Sequence, residues 1–347
     1  MKKSIIQILK FLAFLLVGLL LLWLAFRKTD FTKLGEGLRE AKYVWLFLSI
    51  YFALLAYISR ARRWILLINP LGYKPSLLNA FYSLMTGYLA NMALPRIGEV
   101  SRCVALGKKE KIPVDQLFGT VVIERFIDFL SLLSIMIMIL IKNSTTIGPF
   151  LIENIYQPFH QKLSEIFGAA WIFWAILSSS GVLILFILYK SRESLRRIRF
   201  FAKFFEIVKG IIHGLKTISK IERKWEFLFH TVFIWINYTL MTWVVVFAVK
   251  STSHLDLYDG IFLLVIGGLA MSAPVTSGLG VFHFIISRAL VVVYGISRED
   301  GLVYAILAHE SQMIFGAILG IYSFYALVRK KESYNSLKDS PPAPQGG

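Results

Sequence analysis

Charge is scarce in this sequence. Only 17% of its 347 residues are Asp, Glu, Lys or Arg, against roughly a quarter in an ordinary soluble domain, which argues against a soluble globular chain. There is one cysteine, Cys103, so an intramolecular disulfide is excluded and no cysteine-based metal motif can be built. A glycine-rich phosphate loop of the Gly-x-x-x-x-Gly-Lys kind is missing as well, which removes the usual route to a nucleotide site. The expectation is a chain without a cofactor.

Apolar sequence is abundant instead. Hydrophobic residues make up 56% of the chain, with 28 Phe, 15 Tyr and 8 Trp, and the mean hydropathy is +0.65. Uninterrupted apolar runs of about 17 to 25 residues, each able to cross a hydrocarbon core near 30 Å, recur from end to end. The fold class is therefore all-α, a polytopic membrane helix bundle. Hydropathy and flanking polar residues place about eight spans, at 8–26, 44–60, 117–141, 167–189, 226–249, 259–275, 280–295 and 302–328. The segment 76–95 is apolar too, but it carries Asn79, Thr86, Gly87 and Asn91 and ends in proline. It is read as re-entrant or broken.

Lys and Arg exceed Asp and Glu by 17 charges, and they sit between spans, which favours an anionic membrane surface over nucleic acid as partner. Basic connections are retained on the cytoplasmic side. The stretches around Lys2, Arg60, Lys108, 190–224 and Arg329 then all face the cytoplasm, with both termini inside. The connection 27–43, also basic, is the exception. After Met-Lys-Lys and an apolar run no small-residue cleavage site follows, so a retained signal anchor is expected. Within 196–220 apolar residues such as Phe201, Phe204, Phe205, Val208, Ile211 and Leu215 take helical spacing, with basic residues opposite. That pattern predicts a basic amphipathic helix on the inner membrane surface, unless its apolar face packs on the bundle. One transmembrane domain is thus expected over 1–332, with a disordered tail over 333–347 lacking apolar periodicity.

Ionisable groups at membrane depth are costly and tend to pair and to mark function. Three fall in the third span: Glu124, Arg125 and Asp128. Glu124 and Asp128 share a helix face and Arg125 reaches Asp128, which leaves one negative charge for a partner elsewhere; a purely structural ion pair is the competing reading. Just upstream lies the block 91–102, with Asn91, Pro95, Arg96, Gly98, Glu99 and Arg102. Pro95 and Gly98 should break the helix, and Arg96, Glu99 and Arg102 then recur at three-residue spacing on one face. Two guanidiniums around a carboxylate leave a positive charge suited to phosphate. A second interruption carries Pro274, Ser277, Gly278 and Gly280 and leads into His283. Unwound backbone at depth is tolerated where it lines a cavity, and paired interruptions, one per half, point to a transporter's binding site. Ser277, His283, His309 and Glu310 are expected around a polar cavity; His283 and His309 read singly are interhelical hydrogen-bonders, and their spacing matches no zinc motif. Arg60 and Arg63 sit at a span end, either as interfacial anchors or as headgroup contacts.

Residues 60–64, the 91–102 block, Glu124-Arg125-x-x-Asp128 and the Pro274-to-Gly280 loop, in this order, resemble the lysylphosphatidylglycerol synthase transmembrane or flippase-like family over nearly the whole chain. The resemblance implies a bacterial or archaeal inner-membrane protein akin to the flippase half of the multiple peptide resistance factor, which moves an aminoacylated phospholipid between leaflets. In that factor a soluble aminoacyltransferase domain follows the membrane region, whereas only 329–347 follow the last span here. Lysyl-lipid synthesis by this chain is not expected. Where the family usually has a glutamate after the loop this chain has His283, and near His309 an arginine is common.

The expected function is binding and translocation of a phospholipid or lipid-linked small molecule. Its headgroup residues are Arg60, Arg63, Asn91, Arg96, Glu99, Arg102, Glu124, Arg125 and Asp128. The alternatives are an intramembrane transferase with Glu124 or Asp128 as general base, for which no nucleophile-base pair or metal cluster speaks, and a membrane partner for a separately encoded transferase. Homo-oligomerisation is compatible with any of these.

Overall fold

A computed structural model describes residues 16–27, 29–94, 97–142, scattered positions between 157 and 179, 221–273 and 275–338. Contact clustering divides the chain into a unit of Met1–Met136 with Thr217–Gly347 and a second unit, Ile137–Lys216. In the second unit the described positions are nearly all helical. The expected amphipathic helix at 196–220, most of the span at 167–189, and the residues Pro95, Arg96 and Pro274 lie outside the described residues. The account below concerns the first unit.

No strand occurs among the described residues, and the helices follow the apolar runs. Helix α1 covers Leu16–Phe26. The short α2 (Phe31–Glu40) starts where the Asp30 carboxylate accepts from the Thr32 and Lys33 amides, satisfying two of the donors that a helix start leaves free. It occupies the basic connection 27–43. Helix α3 (Val44–Ile68) is about 37 Å long at 1.5 Å per residue, and runs past the expected end at 60, so Arg60 and Arg63 lie within it rather than at its end. Ser76 caps α4 (Leu77–Ala93). This helix is unbroken from Leu77 to Ala93, and the next one starts only at Gly98. Helix α5 (Gly98–Glu110) then folds back against α4, and α6 (Val114–Lys142) follows.

In the later half, α7 (Lys224–Trp243) tightens into a 3-10 turn over Val244–Ala248. Asp256 and Asp259 form a capping box at the start of α8 (Leu257–Met271). The chain then leaves helical geometry, with a 3-10 turn over Thr276–Gly278 in which Ser277 is left-handed at φ 50°. It resumes as α9 (Val281–Tyr294) and ends in α10 (Arg298–Lys338), which continues six residues into the stretch 333–347.

Among the described residues three segments, Val44–Leu71, Lys224–Ala248 and Arg298–Arg329, are long and apolar enough to cross a membrane, and α1, α8 and α9 are shorter apolar helices. Polarity is distributed as in a protein solvated by lipid. Phe47 is 72% exposed and Ile314 61%, whereas Arg63 is 0%. Such a bundle gains little from burying apolar side chains, because lipid is equally apolar, so close backbone approach and polar contacts hold it. Helices α4 and α5 meet at Gly87 and Gly98: a Cβ on Gly87 would stand 2.8 Å from the Gly98 carbonyl oxygen, and one on Gly98 would strike the Gly87 carbonyl and the Asn91 amide. At the second interruption Gly280, at φ 78°, lets α1 approach so closely that a Cβ there would collide with the Gly18 carbonyl. Around Trp64, the residues Ala61, Ile65, Ala80, Cys103, Leu106 and Leu117 close an apolar cluster of α3, α4, α5 and α6.

Gly98→Ala should therefore cost about 1–3 kcal/mol through overpacking. A lowered melting temperature in detergent, with some loss of monodisperse protein, is expected; an unaltered melting curve would show that α4 and α5 do not approach this closely.

Candidate functional site

Helix periodicity brings Arg60, Arg63 and Trp64 of α3 to face Thr120, Glu124 and Asp128 of α6. The Trp64 indole N–H donates to Thr120 Oγ1 at 2.8 Å and sets the register. One turn further along, Arg60 Nη2 donates to Glu124 Oε1 at 2.7 Å, and Arg63 Nη2 to Asp128 Oδ1 at 2.6 Å. Arg63 Nη2 is also 3.5 Å from Glu124 Oε1. From α5, Arg102 stacks over the Trp64 ring, its guanidinium carbon 4.8 Å from the ring centroid. Its Nη1 stands 3.0 Å from Glu124 Oε2 without hydrogen-bond alignment, so that contact is Coulombic. Arg125 bridges Glu124 and Asp128 at 2.8 and 2.9 Å and reaches Glu99 at 3.9 Å.

Several expectations change with this geometry. Arg60 and Arg63 are buried within the bundle, not interfacial anchors; it is Arg62 that stays partly exposed and pairs with Glu226. Glu99 and Arg102 do not form one headgroup face: Arg102 turns inward to Glu124, and Glu99 points to Arg125. The balance of charge also reverses. Taken alone, the third span leaves one negative charge, yet among the described residues Arg60, Arg63, Arg102 and Arg125 gather around Glu124 and Asp128, with Glu99 at the edge, and the surplus is positive. Buried guanidinium nitrogens without a hydrogen-bond partner remain on Arg60, Arg63 and Arg102.

A cavity of about 700 Å³ adjoins the cluster, with Arg125, Glu99, Tyr57, Tyr88, Tyr238 and Asn91 on its polar wall. Met92, Met241, Met271 and Met313 line it elsewhere, flexible thioethers able to pack against an irregular apolar guest. Arg60 donates to the Tyr88 hydroxyl, and its Nη1 lies 3.4 Å from the Tyr238 hydroxyl. A phenol oxygen that accepts from a guanidinium keeps its own proton to donate, so Tyr88 can carry the influence of the buried cluster to a guest in the cavity. The three tyrosines were not foreseen. The only hint in the sequence is Tyr57 one helical turn before Arg60, and tyrosines in membrane helices more often mark the interface.

Asn91 turns out to position backbone: its Oδ1 accepts from the Gly98 amide at 2.6 Å, occupying a donor at the start of α5. Its carbonyl oxygen lies 3.4 Å from Ser277 Oγ, and Ser277 also lines the cavity. His283, His309 and Glu310 converge beside that turn. His309 Nδ1 is 3.0 Å and His283 Nε2 3.3 Å from Glu310 Oε1, and His309 Nε2 is 2.9 Å from the Ser277 carbonyl oxygen. The two histidines are therefore joined through one carboxylate rather than acting singly.

Residues 10–320 match the family model described as the lysylphosphatidylglycerol synthase TM region. Comparisons with curated proteins and with solved structures return no match.

Glu124→Ala should leave three buried guanidiniums without their shared counter-charge and destabilise the fold by about 3–5 kcal/mol. Yield and thermal stability in detergent measure this. Recovery of well-folded Glu124→Ala protein at normal yield would mean that the arginines are not held by this carboxylate.

Proposed function

The chain belongs to the lysylphosphatidylglycerol synthase TM-region family, and from that premise we propose that it binds the phosphate of a phospholipid or lipid-linked compound in this cavity and carries that lipid between leaflets. The observation that carries the reading is the buried surplus of guanidinium charge beside the cavity. An unbalanced positive charge at such depth is expensive, and an anionic headgroup relieves it. Arg125, 40% exposed and on the cavity wall, is the guanidinium that can contact phosphate, and Tyr88 and Tyr238 donate beside it. The methionine-lined wall takes apolar parts of the lipid. A membrane family is consistent with this, as is a multi-pass arrangement in the plasma membrane with cytoplasmic termini, which the basic connections favour.

A role as an enzyme is less well supported. Glu124 is paired with Arg60 and Arg125 and Asp128 with Arg63 and Arg125, and neither carboxylate lines the cavity, so neither is placed against a bound substrate as a general base must be.

Purified protein in proteoliposomes containing fluorescent anionic phospholipid should accelerate loss of leaflet asymmetry. Arg125→Ala, which leaves the buried pairs Arg60–Glu124 and Arg63–Asp128 in place, should slow it about tenfold or more, as expected for one charge-assisted hydrogen bond of about 1.5–3 kcal/mol. Equal rates with and without protein, or in wild type and Arg125→Ala, would refute the reading.

A further inference from the structure

Two imidazoles and a carboxylate, His283, His309 and Glu310, converge where α9 meets α10. Three potential ligand atoms, His283 Nε2, His309 Nδ1 and Glu310 Oε1, lie within 4.8 Å of one another, with 3.3 and 3.0 Å separating the carboxylate oxygen from the two nitrogens. In a tetrahedral site with bonds of about 2.0–2.1 Å, neighbouring ligand atoms stand about 3.3 Å apart. The spacing thus needs little adjustment to close on an ion.

The surroundings agree. His309 Nε2 faces the Ser277 carbonyl oxygen at 2.9 Å, an acceptor only, so this nitrogen carries the proton and Nδ1 presents its lone pair toward the cluster. A ligating histidine typically donates its other N–H to a carbonyl or carboxylate, which fixes tautomer and ring orientation. His283 Nδ1 has no hydrogen-bond partner, so its ring is held in the cluster from the Nε2 side alone, 3.3 Å from Glu310 Oε1. Both imidazoles are buried, and the carboxylate is 42% exposed, which leaves an approach for the ion and a fourth position for water.

We propose that His283, His309 and Glu310 form a binding site for a divalent metal ion of the zinc type. Two imidazole nitrogens with one carboxylate suit Zn²⁺ or Co²⁺ and not Mg²⁺ or Ca²⁺, which take oxygen ligands. Chain position conceals the site, since the ligands come from two helices and His309 and Glu310 are sequence neighbours. Through the Ser277 carbonyl the ion would fix the left-handed turn at the second interruption, joining α9, α10 and the cavity wall.

The test uses the full chain in detergent with any affinity tag removed. After incubation with ZnCl₂ and desalting, about one equivalent of zinc is expected to remain, and Co²⁺ should give the visible absorption of a tetrahedral site. His283→Ala and His309→Ala should each lose stoichiometric retention, while His254→Ala, altering an exposed histidine, should retain it. Should the alanine variants fail to fold, wild-type protein still reports: zinc should protect His283 and His309, but not His254, from diethyl pyrocarbonate, mapped by mass spectrometry. Retention below about 0.1 equivalent, retention equal in all variants, or labelling unaffected by zinc would overturn the proposal. None of these readouts involves lipid movement, so failure here and failure of the lipid reading are distinct.

Discussion

One carboxylate holds the centre of this bundle. Glu124 is fully buried and is the common counter-ion of guanidiniums from α3, α5 and its own helix. A charge in a low-dielectric interior is tolerated only when paired and hydrogen-bonded. Here the requirement runs in both directions: the arginines need Glu124, and Glu124 needs them. Helices α3, α5 and α6 are consequently fixed in relative position by electrostatics, while the apolar cluster around Trp64 fills the space between them. Arg102 joins the two layers, since it stacks on Trp64 and faces Glu124. The surplus positive charge is then part of the architecture, because the three buried arginines, Arg60, Arg63 and Arg102, all gather on Glu124, and removing one of them disturbs the other two.

That cluster is buried, and its effect on the cavity depends on intermediaries. Arg60 reaches the cavity wall through the Tyr88 hydroxyl, and Arg125 reaches it directly. A guest therefore meets one exposed guanidinium and oriented phenols instead of several naked charges, an arrangement that costs less in the empty state than open guanidiniums in hydrocarbon. The methionines opposite suit a guest whose apolar part varies. Polar selection at one wall and adaptable packing at the other are what an amphiphile requires.

Much of this was legible in the chain. Spans follow from apolar runs, since a helix must satisfy its own backbone in lipid, and Glu124, Arg125 and Asp128 announce themselves by their spacing within one run. The two interruptions are visible as Asn, Gly and Pro in apolar surroundings. The ends of α3 were harder: charge at 60–63 suggested an interface by composition, whereas pairing with α6 makes those arginines interior. No local pattern distinguishes the two cases, because the deciding partner is sixty-odd residues away. The same holds for Tyr88 and Tyr238, which look like belt residues until Arg60 is placed against them. His283 and His309 sit on different helices, and only the packing of α9 on α10 joins them through Glu310.

The two interruptions are one structural feature, and Asn91 is the reason. Its side chain accepts from the first amide of α5 after the earlier break, and its backbone carbonyl meets Ser277 Oγ in the later one. Gly87 and Gly98 bring α5 close enough for the first contact, and the left-handed Ser277 exposes its hydroxyl for the second while turning its carbonyl to His309. Backbone freed from helical hydrogen bonding must find partners within the protein when water is scarce, and here each break supplies part of what the other lacks. A shift of α5 that moved Gly98 would pull on Asn91 and loosen Ser277. It would also move Arg102 relative to Glu124. The charged cluster, the cavity wall and the histidine pair are thereby linked through one asparagine.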